Sequence, residues 1–384
     1  MLLCLAAAPA SAQQSVSDVL SFLVTNQAVP TGDFVKDREA AAATRDTIAR
    51  FLQIELSTLP ITSSTGGFIY RFNPIVGTME RVSDDFGPFF VERSLTSGRG
   101  QVSVGLSYRL SQFDTLDGRS LVDGTLVTIS NRLAGESQPF DIETLSLHID
   151  AHTYTLFGNY GVTDRLDVGA AVPIVNLRLS GDRVNNYRGT VLPQATGSAY
   201  AVGLADVALR AKYGIVQHGV AGIATKVDVR LPTGDERQLL GTGETAVHVS
   251  AIASVGTDRL GSHFEAGVGR GGASDSVEWS GAVVVSATPH LNFVGEILGR
   301  RLNALSRITD VVAPHPQLPN VATTRLLPGA AGINTLLGVT GVKWNVARTW
   351  ILNANVLFPL TENGLTGRPA ASIAVDYSFD RFRR

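Results

Sequence analysis

The sequence is poor in the residues that mark several classes of protein. Among its 384 residues there is one cysteine, Cys4, and only 17% are charged. Because Cys4 falls in the apolar leader at the N-terminus, the rest of the chain has no thiol, which excludes disulfides and cysteine-ligated metal. The formal net charge of −2 leaves no basic surface to attract a polyanion. We therefore expect no nucleic-acid partner.

Long apolar runs and catalytic motifs are missing as well. After the first dozen positions, no uninterrupted apolar run reaches the roughly 18 residues of a spanning helix. If the chain crosses a membrane, it must therefore cross with β-strands. No nucleophile elbow, HExxH, P-loop or paired CxxC motif occurs, so we expect no enzyme activity and no cofactor.

The N-terminus has the composition of a secretory signal. MLLCLAAAPASAQQ is apolar and runs into Ala10-Ser11-Ala12, a small-x-small cleavage site followed by Gln13. We therefore assign residues 1–12 to a signal peptide and the mature chain to an oxidising compartment. Because the usual basic residues before the apolar stretch are missing, we expect the true start codon to lie upstream.

Residues 13–98 differ in character from the rest of the mature chain. Asp33–Leu59 is charged and alanine-rich, and apolar residues such as Ile48 and Leu52 recur there at helical spacing, which predicts a short amphipathic helix. The stretch Thr65–Arg93 is aromatic and glycine-rich, with one or two short extended pieces expected. If the remaining residues form a barrel, we expect this N-terminal segment to fold into its lumen or to cap its periplasmic mouth.

Beyond this segment the pattern has period two. Val102, Val104 and Leu106 alternate with small or polar residues, and the same alternation returns in segment after segment. The predicted strands are 101–110, 142–162, 166–180, 200–216, 220–231, 244–256, 260–270, 277–287, 291–302, 332–346, 350–360 and 369–380. These make twelve strands, or fourteen if the region Phe68–Phe90 adds a hairpin to the wall.

The connections between these strands are of two kinds. Short turns recur at 162–166, 217–219, 256–260, 287–291 and 346–350. Longer polar loops lie at 111–141, 181–199, 232–243, 272–276, 304–331 and 361–368. Short turns at one end and long loops at the other are typical of a bacterial outer-membrane barrel, and an even strand number puts both termini on the periplasmic side. The alternative, a soluble two-layer sandwich, explains neither this asymmetry nor the signal.

The predicted fold is all-β: a transmembrane antiparallel up-and-down β-barrel at residues 99–384, in the outer membrane of a Gram-negative bacterium. A short, partly helical N-terminal segment precedes it. Tyr160, Phe293, Trp344 and Trp350 flank the short turns and predict an aromatic girdle at the membrane interface.

One predicted wall strand contains a proline. Pro173 has no N–H to donate to a strand ladder, so we expect a bulge there, or the point where the strand leaves the membrane. A structural bulge is the favoured interpretation, and a lateral gap in the wall is the alternative.

The charged face of the strands must point inward. Twelve strands enclose more space than side chains can fill, since about eight strands already reach that limit. A basic residue facing lipid at the bilayer midplane would cost roughly 2–4 kcal/mol. The predicted lumen-lining residues are Arg109, Asp206, Arg210, Lys212, Lys226, Asp228, Arg230, Glu265, Glu296, Arg300 and Lys343. Their mixed signs give no strong ion preference, so a neutral or amphipathic solute fits best.

His148, Asp150 and His152 share one face of a predicted strand. They would bind a metal only if a third ligand faced them, so a polar lumen lining is the favoured interpretation and we expect no metal. A lipid-acting enzyme of the outer membrane would need a serine beside a histidine on the outer wall. His148 has no such serine on its face.

Several segments resemble those of one family. They are Gly87–Arg93 (GPFFVER), Thr163–Gly169 (TDRLDVG), Gly203–Tyr213 (GLADVALRAKY), Arg230–Glu236 (RLPTGDE) and Leu239–Gly243 (LLGTG). In these motifs the chain resembles the outer-membrane transporters of the phenol-degradation MetA-pathway family, distant relatives of the long-chain fatty-acid transporter barrels. The resemblance implies uptake of small hydrophobic or aromatic compounds.

Together these features predict a monomeric outer-membrane channel for passive uptake. A small-molecule solute would enter from the loop side, meet the mixed-charge lumen and pass when the N-terminal segment yields. Outer-membrane lipid and, during biogenesis, the barrel-assembly machinery are the other expected partners. The alternatives are a structural or adhesive barrel without transport and, less favoured, a lipid-acting enzyme.

Overall fold

The computed structural model describes most of the chain from residue 14 onward. The described residues are 14–24, 45–46, 48–55, 63, 70–73, 78–81, 85–219, 221–257, 259–315, 318–347 and 349–380. The predicted signal peptide, residues 1–12, lies outside them, as do residues 33–44, 47 and 56–59 of the predicted amphipathic helix. No helix among the described residues is long and apolar enough to span a membrane.

The described chain consists mainly of β-strands. One α-helix, α1 (Val16–Val24), precedes β1 (Tyr70–Asn73), β2 (Thr78–Arg81), β3 (Gln101–Leu116), β4 (Arg119–Ser120), β5 (Leu126–Leu133), β6 (Asp141–Gly161), β7 (Leu166–Tyr187), β8 (Thr190–Leu204), β9 (Val207–His218), β10 (Ala221–Leu231), β11 (Ala246–Gly256), β12 (Leu260–Gly271), β13 (Ser276–Thr288), β14 (Leu291–Pro314), β15 (Val321–Ala347), β16 (Trp350–Pro359), β17 (Leu365–Gly367) and β18 (Ala370–Asp380). Residues 48–55 are also helical.

Antiparallel pairing closes these strands into a ring. Strands β8 and β9 pair with consecutive parts of β7 and share one place in the wall. The order around the wall is β3, β6, β7, β8/β9, β10, β11, β12, β13, β14, β15, β16 and β18, and β18 pairs with β3 again. Since β8 and β9 are two parts of one wall strand, the ring has twelve strands, which confirms the predicted fold and count. The alternative of fourteen is wrong, because β1 and β2 form a separate two-stranded sheet.

The wall is much taller on one side than on the other. On the side of β9 to β13, the strands end near Leu231, Ala246 and Gly271, but β14 and β15 remain paired as far as Pro314 and Ala322. The predicted loops 181–199 and 304–331 are therefore largely strand, and the predicted loop 111–141 contains β4 and β5. The sequence interpretation ended these strands too early because the polarity of their two faces is reversed there: the inner face becomes apolar and the outer face polar.

Strand β7 shows this reversal. In its lower part Asp167 faces the interior, while Val168 and Ile174 are exposed on the outside. In its upper part Leu177 and Leu179 are fully buried inside, and Arg178 lies on the exposed outer face. The alternation of directions continues unchanged, and only the polarity of the two faces is reversed. This is what a strand requires when it leaves lipid for water while its inner side meets an apolar core.

The expected bulge at Pro173 lies on the neighbouring strand instead. Strand β7 pairs with β6 without interruption through Pro173, opposite Thr155. On its other side, pairing stops at Ala171 and resumes at Ile174, and the facing strand has three residues, Ala205 to Val207, where β7 has two. The backbone polar groups of Pro173 face this side, where its carbonyl accepts the Ala205 N–H. The hydrogen bond that its nitrogen cannot donate is therefore accommodated by the break between β8 and β9.

The outer face of the lower wall is a belt of exposed apolar side chains. The belt includes Val168, Leu209, Val227, Val249, Phe264, Val283, Ile297, Val356 and Ile373. Such a continuous apolar surface is stable in lipid and not in water. Trp344, Trp350 and Phe293 point outward next to the short turns, where the interface lies. The chain is an outer-membrane β-barrel.

The upper interior is an apolar core built from the wall and the N-terminal segment. Five residues of α1 are buried, among them Leu20 and Leu23, and so are Phe51 and Leu52 of the helical stretch 48–55. They pack on inward residues of β6, β7 and β8. On β8, Gly197 leaves room for α1. A Cβ at this position would lie only 3.2 Å from a side-chain carbon of Val19, which is closer than an ordinary van der Waals contact.

Helix α1 has a clear local signal that our sequence interpretation missed. Ser15 and Asp18 form a reciprocal capping pair: the Asp18 N–H donates to the Ser15 hydroxyl at 3.1 Å, and the Ser15 N–H donates to Asp18 at 3.3 Å. The hydrogen bonds from Ser15 lower the pKa of Asp18. The capping pair thus provides hydrogen-bond partners for N–H groups of the first turn, and the apolar face of the helix packs in the core.

The apolar belt predicts the effect of a charge on the outer wall. Val249 faces outward near the middle of β11, so we expect Val249→Arg to lower the free energy of unfolding in lipid vesicles by roughly 2–4 kcal/mol. Val312→Arg, in the exposed upper part of β14, is the matched control and should change it by under about 0.5 kcal/mol. Equal losses in reversible unfolding would contradict this placement of the membrane.

Candidate functional site

A segment without regular secondary structure crosses the lumen near the short turns. We call residues 85–99 the strap. Most of its side chains are buried, and its backbone forms no strand ladder with the wall among the described residues. Buried backbone N–H and C=O groups must still find partners, because an unpaired one costs about as much as a lost hydrogen bond. The partners here are charged side chains of the wall.

The strap's backbone N–H groups converge on one wall carboxylate. Glu296, on the inner face of β14, accepts hydrogen bonds from the N–H groups of Phe89, Phe90 and Val91, with distances of 3.1 Å from the latter two. Successive N–H groups that curve around an anion form a strong binding site. A charge-assisted bond is roughly twice as strong as a neutral one, so Glu296 is the main anchor of the strap's N–H groups.

Two wall lysines bind the strap's carbonyl groups. Lys343 donates to Pro88 O at 2.6 Å, and Lys212 donates to Arg93 O at 3.2 Å and Leu95 O at 3.0 Å. Both lysines have no exposed surface. The wall thus supplies a carboxylate to the strap's donors and ammonium groups to its acceptors.

A buried ion-pair network joins the strap to β9 and β10. Glu92 of the strap pairs with Arg210 and with Lys212, the latter at 3.1 Å. Arg210 also pairs with Asp228 at 2.6 Å. Asp228 and Glu265 both bind Lys226, at 3.2 and 2.6 Å. Opposite charges alternate through this network, so each desolvated ion has a counter-ion.

Weaker ties fix both ends of the strap. Asp85 contacts His263 at 3.2 Å, and the Ser97 N–H donates to Asp167 at 2.9 Å. Between them, the Ser94 N–H donates to the Ser254 hydroxyl at 2.8 Å. These contacts hold the whole length of the strap against the wall.

Ten of the eleven predicted lining residues occupy inward positions on wall strands, but five of them hold the strap directly. Lys212, Glu296 and Lys343 bind its backbone, Arg210 pairs with Glu92, and Glu265 accepts the Glu92 N–H at 3.2 Å. Lys226 and Asp228 support this group from the next layer, and Arg109, Arg230 and Arg300 lie above it, around internal chambers.

Asp206 lies in the break between β8 and β9 and not on an open lumen surface. Its carboxylate accepts hydrogen bonds from the N–H groups of Gly234 at 3.1 Å and Thr242 at 2.9 Å. It therefore ties the 232–243 loop into the wall beside β8. The buried residues Leu239 and Leu240 of that loop join the upper apolar core.

Above the strap lies a chamber of about 150 Å³. Its wall is charged, with Arg230, Glu278 and Arg300 among the lining residues, and Phe90 and Leu298 supply apolar surface. Glu55, from the helical stretch 48–55, reaches into the chamber and pairs with Arg300. Two residues of the N-terminal segment thus border the chamber, Phe90 of the strap below and Glu55 above.

A second chamber of about 80 Å³ lies on the other side of the Glu55–Arg300 pair. Arg109 lines it and is only 8% exposed. No carboxylate or other acceptor binds Arg109 among the described residues, and its Nε is buried without a partner. An uncompensated buried charge is destabilising, typically by several kcal/mol. Within the part of the chain that the structure describes, no partner explains the position of this arginine.

His148, Asp150 and His152 lie on the outer face of β6, above the apolar belt. Leu147, Ile149 and Ala151 point inward between them and are buried. The interpretation as a lumen lining was therefore wrong, because the upper part of the wall is polar outside. Among the described residues, no group of three or more His, Cys, Asp or Glu side chains is placed to hold a metal ion.

The sequence interpretation missed the N-terminal partners of the wall residues. Glu92 and Asp85 of the strap, and Glu55 above it, complete the charge pattern inside the barrel. A signal existed for Glu92, since the charged pair Glu92-Arg93 follows the apolar stretch Pro88–Val91. The period-two pattern describes the wall alone and gives no information on which partner each charge meets.

Comparison with known proteins does not identify a family. No family model matches the chain, and no curated protein matches it. The resemblance to the phenol-degradation MetA-pathway family therefore stays a prediction. Among solved structures, the COG4313 outer membrane channel from Pseudomonas putida F1 is similar with a TM-score of 0.47 and 11% identity, covering 74% of this chain and 98% of that one.

Two further solved structures have lower scores. Pseudomonas putida OprB at low pH has a TM-score of 0.28 and 11% identity, covering 73% of this chain and 93% of that one. The CymD monoaromatic hydrocarbon channel has a TM-score of 0.27 and 8% identity, covering 74% of this chain and 90% of that one. At such scores the fold assignment rests on the strand pairing of this chain itself.

Glu92 predicts a large effect on stability. Glu92→Gln leaves Arg210 and Lys212 without their shared counter-ion, and breaking a buried pair typically costs about 3–5 kcal/mol. Asp310→Asn is the control, because it removes an exposed ion pair with Arg119 and should cost under about 1 kcal/mol. Unfolding of both variants in lipid vesicles measures the difference, and similar losses would show that the strap network contributes little.

Proposed function

We propose that this barrel is a channel for passive uptake of small hydrophobic or aromatic solutes, and that the strap closes its route. The observation that carries the proposal is the way the strap is attached. A segment needed only to complete a core would be joined to the wall by a ladder or by apolar packing. The strap does pack Phe86 and Phe89 on apolar wall residues. Its backbone groups and Glu92, however, are held by charged side chains of the wall, and a local rearrangement can exchange these contacts for water.

The interior supports a small, amphipathic solute. A chamber of about 150 Å³ lies above the strap, and a cavity of about that size accepts benzene when its lining is apolar. Here both signs of charge line the chamber together with Phe90 and Leu298, so neither cations nor anions are strongly excluded. A solute would enter from the loop side, occupy the chamber and leave when the strap moves.

The protein would act as a monomer in this scheme. One chain closes its own ring and supplies its own strap, so the route needs no second copy. Its partners would be the solute, the surrounding outer-membrane lipid and, during biogenesis, the barrel-assembly machinery.

A sealed structural or adhesive barrel is the second candidate. One observation favours it: α1 and residues 48–55 fill the loop-side half of the interior with a buried apolar core. A solute from the loop side must pass this core as well as the strap. The two candidates differ in whether the N-terminal segment ever moves.

Single-channel recording separates these candidates. In planar bilayers, we expect the refolded protein to show brief openings that become at least about tenfold more frequent in Glu296→Gln, because losing a charged hydrogen-bond acceptor costs about 1.5–3 kcal/mol. Asp150→Asn, on the outer face of β6, is the control and should behave like the unaltered chain. Silence of all three proteins would reject the channel and favour the structural barrel.

A further inference from the structure

The unpartnered Arg109 points to a ligand. Its guanidinium is buried in the 80 Å³ chamber, and no acceptor binds it among the described residues. Arginine presents a planar fork of donors that matches a carboxylate in two parallel hydrogen bonds. The partner of Arg109 is therefore most simply an anion that the described residues do not supply.

The surroundings of Arg109 select the type of anion. Leu337, Leu357 and Leu365 line the same chamber, together with the hydroxyl of Thr335. Thr366 and Arg368 are among its polar lining residues. The leucines form an apolar side of the chamber that would leave some of the charged oxygens of a phosphate without donors. The chamber suits a molecule with one charged end and one apolar body.

A carboxylate already occupies the neighbouring arginine. Glu55 pairs with Arg300, which also donates to Thr335 at 3.1 Å. Glu55, Arg300, Thr335 and Leu337 line both chambers, so the two spaces meet at this ion pair. The interior thus shows that a carboxylate fits here, and it supplies an internal competitor for any carboxylate that enters.

We propose that the two chambers around Arg300 bind a small monocarboxylate with an apolar body, such as a single-ring aromatic acid. The carboxylate lies between Arg109 and Arg300, which line the same chamber, and the ring packs against Leu337 and Leu357. At Arg300 the carboxylate competes with Glu55. This inference rests on the proposed function, since it names the class of solute that the channel would take.

Competition with Glu55 would connect binding to opening. Glu55 ends the helical stretch 48–55, whose Phe51 and Leu52 belong to the upper apolar core. A ligand that takes over Arg300 removes the charged tie between that stretch and β14. The same solute that fills the chamber would therefore loosen the segment above it.

Calorimetric titration of the full chain in detergent tests the site. Benzoate is the probe, and benzamide is its neutral analogue of nearly equal shape. We expect benzoate to bind at least tenfold more tightly than benzamide. Arg109→Gln should lower the benzoate affinity at least tenfold, and Arg109→Lys should restore part of it. Arg301→Gln, whose side chain lies on the outer face of β14, is the matched control and should bind like the unaltered chain.

Glu55→Gln should change the benzoate affinity in the direction opposite to Arg109→Gln. Removing the internal competitor should raise the benzoate affinity severalfold while leaving benzamide unchanged. Thermal unfolding of Arg109→Gln checks the fold, and we expect no loss of stability, because the substitution removes an uncompensated charge. Should that variant fail to fold, Arg109→Lys and Glu55→Gln still decide the question.

Three results would overturn the inference: equal affinities for benzoate and benzamide, unchanged benzoate binding in folded Arg109→Gln, or no benzoate binding by either the unaltered chain or Glu55→Gln. The failure of the proposed function is distinguishable. A protein that binds benzoate but never conducts contradicts the channel alone, and one that conducts without preferring benzoate contradicts the carboxylate site alone.

Discussion

The structure depends on an exchange of hydrogen bonds between a wall and a segment that is not part of it. A closed barrel satisfies its own backbone and leaves nothing for a chain that enters its lumen. The strap at residues 85–99 must therefore find partners among side chains. Glu296 serves its N–H groups, and Lys212 and Lys343 serve its carbonyls. In a low-dielectric interior these charge-assisted bonds replace the ladder that a strand would have made.

This requirement also explains why so many charges are buried. Lysines without exposed surface are costly unless they are paired and hydrogen-bonded. Lys212 meets both conditions, since it binds Glu92 and two carbonyl groups at once. Arg109 meets neither among the described residues. The two residues therefore differ in role: Lys212 stabilises the strap, whereas the position of Arg109 is not explained by any contact among the described residues.

The loop-side half follows a different rule. There the wall stands in water outside and presents Leu177, Leu179 and their neighbours to α1 inside. At membrane depth the interior thus holds the ion-pair network beside an apolar cluster around Phe89, and above that depth it is mainly apolar. The N-terminal segment spans both, with Phe51 in the upper core and Glu92 in the lower network. Movement of this segment would have to break interactions of both kinds.

Much of the wall could be predicted from the sequence. The twelve strands, their antiparallel order and the inward direction of residues such as Arg210 and Lys226 follow from period-two alternation, which is a local property. The upper extensions of β14 and β15 were missed because their polarity is reversed beyond the membrane. Alternation shows that two faces differ, but not which one meets water.

The candidate site was less predictable, because it depends on contacts between distant residues. Glu92 meets Arg210 across 118 positions, and Glu55 meets Arg300 across 245. No local pattern encodes such pairs. Asp206 shows the same limit. The sequence predicts it as a charged lining residue, but its role in holding the 232–243 loop depends on the break in strand pairing opposite Pro173, which no local pattern indicates. Helix α1 is different, since Ser15 and Asp18 mark its start and the signal was there to use.

Hydrogen exchange at the strap tests the central claim most directly. In the folded protein in lipid, the amides of Phe89, Phe90 and Val91 should exchange slowly, and their exchange should become at least about tenfold faster in Glu296→Gln, since a loss of about 1.4 kcal/mol is a factor of ten. Amides of β11 should keep their protection in the same variant. Exchange of the three strap amides at the rate of an unfolded chain, with Glu296 in place, would contradict the account.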